Sequence, residues 1–406
     1  MPIIKEFAGS KNRVLIIVQN LPVPFDRRVW QEASELRKNG YQVSIICPKG
    51  KGYEKSEEII DGINIYRHKL PFEAEGICGY FIEYFWSLFF EFILSWKVFF
   101  KHGFDVIHAC NPPDNIFLIA GFFKLFFRKK FIFDHHDINP ELYEAKFGKK
   151  GFFYNVVLLL EKLTFKFADI SIATNNSYKK IAIERGGMKP ENVFVVQSGA
   201  DINRIKIMPP KNELKYGRKF LVGYVGVMGK QEGIEYLLKA IDYIVHNLER
   251  HDISFTLIGD GTELENLKKI ASTKQLNEYV NFTGRISDDE LLQILNTADL
   301  CVNPDEVNAM NDKSTMNKIM EYMALGKAIV QFDVTEGRFS AGKSSLYAKP
   351  NDAQDFAHKI IELIDNTEKR LAMGKIGRER IEKELAWSFE APKLLAAYQS
   401  LFMNRL

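Results

Sequence analysis

The sequence predicts an α/β protein made of two Rossmann-like, doubly wound domains. Its 406 residues exceed the length of one typical domain, about 100–200 residues, and 46% of them are apolar, which is enough to fill two cores. Short apolar runs alternate with helical patterns along almost the whole chain, as in parallel sheets covered by helices. A polar, proline-containing stretch at 201–219 separates two such series. We therefore expect one domain over 1–205 and a second over 206–384.

The first series opens with RVLIIVQN at 13–20, a continuous apolar run that suits a parallel strand buried on both faces. A helix follows, with Asp26 as its N-cap and Gly40 just past its end. The later strands predicted in this series are YQVSIICP (41–48), DVIHAC (105–110), KFIFDHHD (130–137), DISIAT (169–174) and NVFVVQSG (192–199). Ligands of open α/β sheets bind at the edge where parallel strands end, so the residues after these strands are candidates for binding.

Polar side chains follow several strands of the first series at this edge. The candidates there are Arg27, Arg28, Asn111, Asp114, His136 and Asp137. Arg27 and Arg28 begin the first helix and are equally compatible with ordinary surface positions. The two histidines of FDHHD together with Asp137 could suggest a metal site, but no third ligand has suitable spacing. We therefore expect no metal.

The second series contains the strand patterns KFLVGYVG (219–226), ISFTLIGDG (253–261), VNFTG (280–284), DLCVNP (299–304) and KAIVQFD (327–333). Gly226 and Gly229 belong to a glycine-rich turn after the first of these strands, and glycines let the backbone approach a phosphate closely. A tight turn with a purely structural role is the alternative. The G-x-x-G-x-x-G spacing is a poor dinucleotide fingerprint, which argues against an NAD dehydrogenase.

A short amphipathic helix is predicted at 314–325, and Gly326 ends it. Its apolar stripe is Met316, Ile319, Met320, Met323 and Ala324, and the opposite side carries Ser314, Asn317, Lys318 and Glu321. Lys313 and Lys318 lie near the amino end of this helix, where the helix dipole disfavours cations. A bound diphosphate would explain them, with Glu321 one turn further on accepting hydrogen bonds from a ribose. A solvated face with two snorkelling lysines remains the alternative.

The segment at 77–103 is nearly all apolar and is long enough to consider as a membrane span. However, Glu83, Ser87, Glu91 and Ser95 form one polar stripe along it, and carboxylates at mid-depth are costly in lipid. GFFKLFFRKKFIF at 121–133 adds phenylalanines beside four cations, which suits an anionic membrane surface. We favour peripheral membrane contact, and ordinary core helices with a basic end are the alternative.

The charge balance argues against a nucleic-acid-binding protein, and the cysteine content indicates the redox setting. The 55 basic and 52 acidic residues give a formal net charge of +3, without the basic excess of a nucleic-acid-binding protein. The four cysteines lack metal-ligand spacing, which favours a reduced, cytoplasmic setting. The stretch at 1–13 lacks the apolar segment of a signal peptide.

The stretch STMNKIMEYMALGKAIV at 314–330 closely resembles the signature helix of GT-B glycosyltransferases of family 4, and the resemblance extends along nearly the whole chain. By this resemblance Glu321 binds the donor ribose, Lys318 meets the diphosphate, and Ser314, Thr315 and Asn317 lie beside the nucleotide. The first acid of the family's paired-glutamate motif is Lys313 here. Val227 and Glu232 stand where the family has a diphosphate-binding arginine and lysine, and Lys230 is close enough to substitute.

The resemblance also assigns roles outside this helix. It places Gly259 and Gly261 in the nucleotide cleft, Arg285 near the base and His136 near the transferred sugar. The N-terminal domain would bind the acceptor and the C-terminal domain the nucleotide sugar. The last segment, 385–406, would return to the first domain.

The activity implied by the resemblance is transfer of a sugar from a nucleotide donor, UDP-linked, with retention of anomeric configuration. The expected acceptor is a saccharide or a lipid-diphosphate-linked glycan of the bacterial surface, and no cofactor is expected. The expected location is the inner face of the cell membrane. A sugar-nucleotide 2-epimerase of the same fold and a non-catalytic sugar-nucleotide-binding protein are the alternatives.

Overall fold

A computed structural model describes residues 12–70, 76–148, 150–202 and 204–403. The stretch considered above as a signal peptide lies almost entirely outside these ranges. The chain forms two compact units. The first holds residues up to Gln197 together with those from Ala391 onward, and the second holds Ser198–Glu390. For comparison, the sequence placed the two boundaries at 205 and 384.

The first unit contains an eight-stranded sheet with the strand order β3-β4-β2-β1-β5-β6-β7-β8. Its strands are β1 (Arg13–Val18), β2 (Gln42–Pro48), β3 (Glu57–Ile60), β4 (Ile63–His68), β5 (Val106–Cys110), β6 (Lys130–His135), β7 (Ile170–Ala173) and β8 (Val193–Val195). Its helices are α1 (Arg27–Lys38), α2 (Gly76–Lys101), α3 (Phe117–Phe127), α4 (Asn139–Phe147), α5 (Phe152–Phe167) and α6 (Asn176–Glu184). The order reverses between β1 and β5, which is the switch point where ligands of such sheets bind.

All strand pairs of this sheet are parallel except β3 with β4, which form an antiparallel hairpin. The sequence analysis did not predict this hairpin. Asp61 and Gly62 connect its strands with φ angles of 50° and 77°. An Asp-Gly pair with positive φ at both residues is the typical two-residue hairpin turn, so the sequence did contain the signal.

The second unit contains a six-stranded parallel sheet with the order β11-β10-β9-β12-β13-β14. Its strands are β9 (Phe220–Val225), β10 (Ile253–Ile258), β11 (Val280–Gly284), β12 (Leu300–Asn303), β13 (Ile329–Phe332) and β14 (Ser345–Ala348). Its helices are α7 (Ile234–Asp242), α8 (Leu264–Thr273), α9 (Asp288–Thr297), α10 (Asn317–Ala324), α11 (Thr335–Ala341), α12 (Ala353–Asp365) and α13 (Thr367–Arg380). The long final helix, α14 (Trp387–Met403), ends the described chain.

Two local predictions about helices are confirmed. Asp26 caps α1, because its carboxylate accepts a hydrogen bond from the Val29 amide, and Gly40 follows the helix end with a φ of 86°. In α10 the predicted apolar side chains Ile319, Met320 and Met323 are buried in the core of the second unit. Lys318 and Glu321 therefore lie on the opposite side of α10, away from this core.

Candidate active site

Helix α10 begins at Asn317, three residues later than predicted. Ser314 has extended backbone angles, φ −93° and ψ 132°, and its hydroxyl donates to the Met310 carbonyl. Met316 is also extended and acts as the N-cap residue. Ser314 and Thr315 therefore lie in the strand-like segment that leads into the helix. Lys318 becomes the second helical residue, and Lys313 lies in the preceding 3₁₀ turn, Asn311–Lys313.

Lys318 is held by two carboxylates and an aromatic ring. Its ammonium donates to Glu232 Oε2 at 2.6 Å and to Asp305 Oδ1 at 2.9 Å, and it lies 5.0 Å from the centre of the Tyr224 ring. Burial lowers the pKa of Lys318, but the charges of Asp305 and Glu232 outweigh burial and hold that pKa well above its ordinary value. Lys318 is therefore a fixed positive charge at the amino end of α10.

The glycine turns after β9 and β10 pack against each other beside Lys318. A side chain at Gly226 would collide with the Tyr224 hydroxyl and come within 3.3 Å of Lys318 Nζ. Gly259 has a φ of 140° and packs on the Gly226 carbonyl, while a Cβ at Gly261 would meet the Met228 carbonyl at 2.6 Å. Backbone packing alone thus requires glycine at Gly259 and Gly261. It also brings the Gly226 backbone next to the Lys318 ammonium.

The remaining cationic candidate of this turn, Lys230, is exposed. It lines a surface pocket together with Gly229, and the carboxylates of Glu263 and Glu306 line the same pocket. The residue of this turn that contacts Lys318 is Glu232. The prediction that Lys230 and Lys318 act as a pair therefore stays a prediction.

Glu321 lies one turn along α10 from Lys318 and forms an ion pair with Arg204. The guanidinium donates to Glu321 Oε1 at 2.6 Å and to Asp288 Oδ2 at 3.2 Å. Arg204 was not singled out in the sequence, because it comes from the segment between the two strand series. Arg285 is exposed just after β11. Asn317 is likewise exposed, at the first position of α10.

In the first unit, Arg28 is buried, whereas Arg27 is exposed. The Arg28 guanidinium donates to Asp134 Oδ1 at 2.9 Å and to the Val196 carbonyl at 2.9 Å, and it lies 3.1 Å from Glu32 Oε1. The surface alternative is therefore wrong for Arg28. Its charge is already matched by buried carboxylates, which leaves Arg27 as the exposed cation at this helix start.

His136 contacts the same carboxylate. Its Nε2 forms a short hydrogen bond with Asp134 Oδ2, and Arg28 Nε lies 3.0 Å from the same nitrogen. Burial raises the pKa of Asp134, but the charges of Arg28 and His136 prevail and keep it well below the ordinary range. An ionised Asp134 fixes the orientation of the histidine ring, which is 13% exposed. Asp134 was quoted within its strand but not recognised as a partner of His136.

The other first-unit candidates, Asn111 and Asp114, are buried and connect the loop after β5 to the loop after β6 by hydrogen bonds. Asn111 donates to Asp114 Oδ1 at 2.9 Å and to the Asp137 carbonyl at 2.7 Å. Its own oxygen accepts from the His136 amide at 2.7 Å and from the Asp137 amide at 3.0 Å. Asn139 donates to Asp114 at 2.7 Å, and burial raises the pKa of Asp114 to about 6. Asn111 and Asp114 are buried, so they position His136 and Asp137 and do not themselves form an exposed cleft wall.

Among the described residues, His108, Cys110 and Asp134 have the mutual spacing of metal ligands. Their chemistry does not suit a metal. The guanidinium of Arg28 already neutralises Asp134, and burial raises the pKa of Cys110 well above its ordinary value, which favours the thiol over the metal-binding thiolate. His108 Nδ1 is also engaged, at 2.6 Å from the Tyr398 hydroxyl.

Comparison with known proteins places the chain among sugar-transferring enzymes. Residues 26–204 match the family model described as Glycosyltransferase Family 4, and residues 219–366 match the model described as Glycosyl transferases group 1. An uncharacterized glycosyltransferase of Methanocaldococcus jannaschii is 24% identical over 372 residues, which is 89% of this chain and 90% of that protein. The capsular polysaccharide biosynthesis glycosyltransferase CapM of Staphylococcus aureus is 26% identical over 251 residues, 58% of this chain and 63% of that protein.

Solved structures show the same fold. The sucrose-phosphate synthase from Thermosynechococcus elongatus superimposes with a TM-score of 0.80 at 17% identity, over 97% of this chain and 100% of that one. Anabaena HepE in complex with UDP and glucose gives a TM-score of 0.72 at 16% identity, over 95% and 99%. The chain therefore belongs to the GT-B glycosyltransferases of the group 1 and family 4 type, as its sequence predicted.

Proposed function

We propose that the chain transfers a sugar from a UDP-linked donor to a hydroxyl of a saccharide or lipid-linked acceptor, with retention, in the assembly of a surface glycan. The observation that carries the proposal is Lys318 in the first turn of α10, beside the Gly226 backbone, with a side chain that is only 10% exposed. The leaving diphosphate gains negative charge as the glycosidic bond breaks. A fixed ammonium and a helix amino end stabilise that charge without reorganising. The solved complex of HepE with UDP and the name of CapM support this donor and acceptor class.

Lys318 must change partners when the donor binds. Glu232 and Asp305 balance its charge in the chain alone. A diphosphate that contacts the ammonium competes with these carboxylates. The negative charges of the diphosphate and of Asp305 would then both repel the Glu232 carboxylate. Donor binding therefore displaces Glu232, whose turn leads directly from Gly226. The lysine then faces phosphate oxygens.

Glu321 is the proposed ribose ligand. Its carboxylate is fixed by Arg204 at 2.6 Å, and it lies one helical turn from Lys318 on the same side of α10. A carboxylate held in this way accepts hydrogen bonds from both hydroxyls of a ribose.

His136 is the proposed group beside the transferred sugar. Asp134 holds its ring through Nε2, and the loop amides of His136 and Asp137 are fixed on Asn111. The acceptor hydroxyl loses its proton to an oxygen of the leaving phosphate, so His136 positions the sugar and is not the base. The proposal requires no metal, because Lys318 and the α10 amino end supply the positive charge.

Incubation with a panel of UDP- and GDP-sugars, with and without saccharide and lipid-diphosphate acceptors, tests this function. We expect nucleotide release that depends on acceptor, is greatest with a UDP-sugar and persists in EDTA. Release of an epimerised sugar nucleotide without acceptor would show the epimerase. Donor binding without turnover under any condition would show a non-catalytic binding protein.

Donor affinity should depend on pH through Asp305. Burial is the main cause that raises the pKa of Asp305, from 3.8 to about 6, against the opposing charge of Lys318. Because the pKa of Asp305 is about 6 in the folded chain, its carboxylate takes up a proton as pH falls through that value. The neutral acid then competes less with the donor for Lys318. We expect the KM for donor to fall about 5-fold or more between neutral pH and pH values below that pKa, a typical size for coupled sites.

The matched variants for this prediction are Asp305→Asn and Asp289→Asn. Steady-state kinetics across the pH range should show a flattened KM profile for the first and an unchanged profile for the second, because Asp289 is an exposed residue of α9. The same sign applies to stability. Between pH 3.8 and about 6 the folded chain holds the Asp305 proton more tightly than the unfolded chain does, so the free energy of unfolding falls as pH rises through this range. This fall should be smaller in Asp305→Asn. An identical KM profile in Asp305→Asn and the unaltered chain would contradict this coupling.

A further inference from the structure

Helix α2 has its polar side turned inward and its apolar side turned outward. Of the four residues in the polar stripe noted in the sequence, Ser87, Glu91 and Ser95 are 0% exposed, and Glu83, nearer the amino end, is partly exposed. On the opposite side Phe85 is 74% and Phe100 is 78% exposed. A helix on the surface of a soluble protein normally has the reverse arrangement. The outward side of α2 is therefore suited to an apolar environment.

The apolar surface continues from α2 onto α3. Its main exposed side chains, which we name the aromatic face, are Phe85, Phe89, Ile93 and Phe100 of α2 with Leu125 and Phe126 of α3. Aromatic contacts join the two helices. The ring centres of Phe100 and Trp96 lie 5.4 Å apart, those of Trp96 and Phe122 5.8 Å, and those of Phe122 and Phe126 4.9 Å. Large side chains exposed to this degree leave on the order of 500 Å² of apolar area in water, at the upper range for a monomer.

Exposed cations lie at the end of α3 and on the neighbouring helix α5. Arg128 follows α3 directly, in a left-handed conformation that ends the helix. Helix α5 lies beside α3, where Lys124 Nζ donates to the Phe167 carbonyl at 2.7 Å. On α5, Lys162 and Lys166 are exposed and follow Leu159 at spacings of three and seven residues, so all three share one side of that helix. Apolar side chains beside cations match the interface of an anionic bilayer.

The amino-terminal half of α2 lies at the edge of the sheet that carries the first-unit site. Gln19, directly after β1, donates to the Tyr84 carbonyl at 3.4 Å, and Asn115 donates to the same carbonyl at 3.5 Å. Asn115 belongs to the loop after β5 that also contains Asn111. The exposed Phe85 therefore directly follows a residue that contacts the strand-end loops of the first-unit site.

We propose that the aromatic face binds the surface of an anionic lipid bilayer, with its rings among the headgroups and Arg128, Lys162 and Lys166 beside the lipid phosphates. None of the helices in the described ranges is both long and apolar enough to cross a bilayer. The chain lies on the membrane at this face. Only the consequence of lipid binding rests on the proposed function: a bilayer contact next to the first-unit site would present a lipid-linked acceptor to that site. Lipid binding itself does not depend on catalysis.

Flotation with vesicles tests the lipid contact. The unaltered chain should float with vesicles of phosphatidylcholine mixed with phosphatidylglycerol and bind pure phosphatidylcholine vesicles much less. Phe85→Ser with Phe126→Ser should lower the bound fraction about 10-fold, and Arg128→Glu with Lys166→Glu should lower it on the anionic vesicles alone. The matched controls are Ile59→Ser, on β3, and Leu371→Ser, on α13. Both residues are exposed apolar side chains outside the aromatic face, so these variants should float like the unaltered chain.

Two outcomes would overturn the inference. One is an unaltered chain that stays at the bottom of the gradient with anionic vesicles. The other is a dimer in light scattering that the Phe85 and Phe126 substitutions dissociate, which would assign the face to a second copy of the chain. Transfer to a water-soluble saccharide acceptor, assayed in parallel, keeps the two proposals separate. Activity without flotation refutes only the lipid contact, and flotation without activity refutes only the proposed transfer.

Discussion

Replacing Lys318 with methionine should lower kcat/KM for the sugar donor by about 10²–10³-fold, the usual effect of removing one preorganised group that stabilises transition-state charge. That ratio corresponds to about 3–4 kcal/mol of transition-state stabilisation. The Lys318 ammonium lies beside the Gly226 turn, at the amino end of α10. Steady-state kinetics with the donor identified from the panel measures the effect.

A second variant separates catalysis from folding. Lys318→Met alone leaves the carboxylates of Glu232 and Asp305 without their cation, which is costly above all for the buried Asp305. Lys318→Met combined with Glu232→Gln removes part of that cost and should fold better while remaining as inactive. Lys375→Met, at an exposed position on α13, is the charge-matched control and should keep full activity. Full activity in the double variant would show that Lys318 plays no part in transfer.

Replacing Arg28 with methionine should destabilise the first unit by about 3–5 kcal/mol, because breaking a buried ion pair leaves an uncompensated charge. Arg28 lies among Asp134, Glu32 and His136, and the side chains of Asp134 and Glu32 are 0% exposed. Burial and the nearby Asp134 charge already raise the pKa of Glu32 well above its ordinary value. Without the guanidinium one of the two carboxylates must take up a proton.

Hydrogen–deuterium exchange of the β1, β5 and β6 amides measures the loss of stability in the first unit, separately from the second unit. Arg27→Met is the matched control, since Arg27 is the exposed neighbour at the same helix start, and it should change protection little. Equal protection in the Arg28 and Arg27 variants would contradict the role assigned to the buried ion pair.

The alternation of apolar runs and helical patterns was sufficient to predict the fold. Two mainly parallel sheets follow from it, and the similarity to solved GT-B structures confirms the prediction. The parts missed were short: the hairpin β3–β4 and the edge strand β14. The edge strands among them, β3 and β14, have four residues each, and short edge strands leave little pattern to detect.

The sequence identified the helix that carries Lys318 and Glu321, but not their partners. Periodicity shows which side of α10 packs on the core, and the burial of Ile319 and Met323 agrees with it. Glu232 and Arg204, in contrast, come from loops 86 and 117 residues away in the chain. Contacts between distant loops depend on the exact path of the backbone, which no local pattern encodes.

The sequence also could not show which side of α2 faces the protein. Recurrence at every fourth residue identified its polar stripe, but Ser87, Glu91 and Ser95 of that stripe face inward. Ser95 donates to the Glu91 carbonyl at 2.7 Å, and His68 lies 3.5 Å from Glu91. An amphipathic pattern shows that a helix has a polar and an apolar side, but it does not show which side faces the protein. Arg28 illustrates the same limit, since an arginine at a helix start suggests the surface until its carboxylate partners are known.

A crystal structure of the unaltered chain with UDP would show whether the donor diphosphate binds at Lys318. We expect phosphate oxygens within hydrogen-bonding distance of Lys318 Nζ, about 3 Å. We also expect Glu232 displaced from the ammonium and the ribose hydroxyls on Glu321. A nucleotide bound away from α10, with Lys318 still paired to Glu232 and Asp305, would contradict the account.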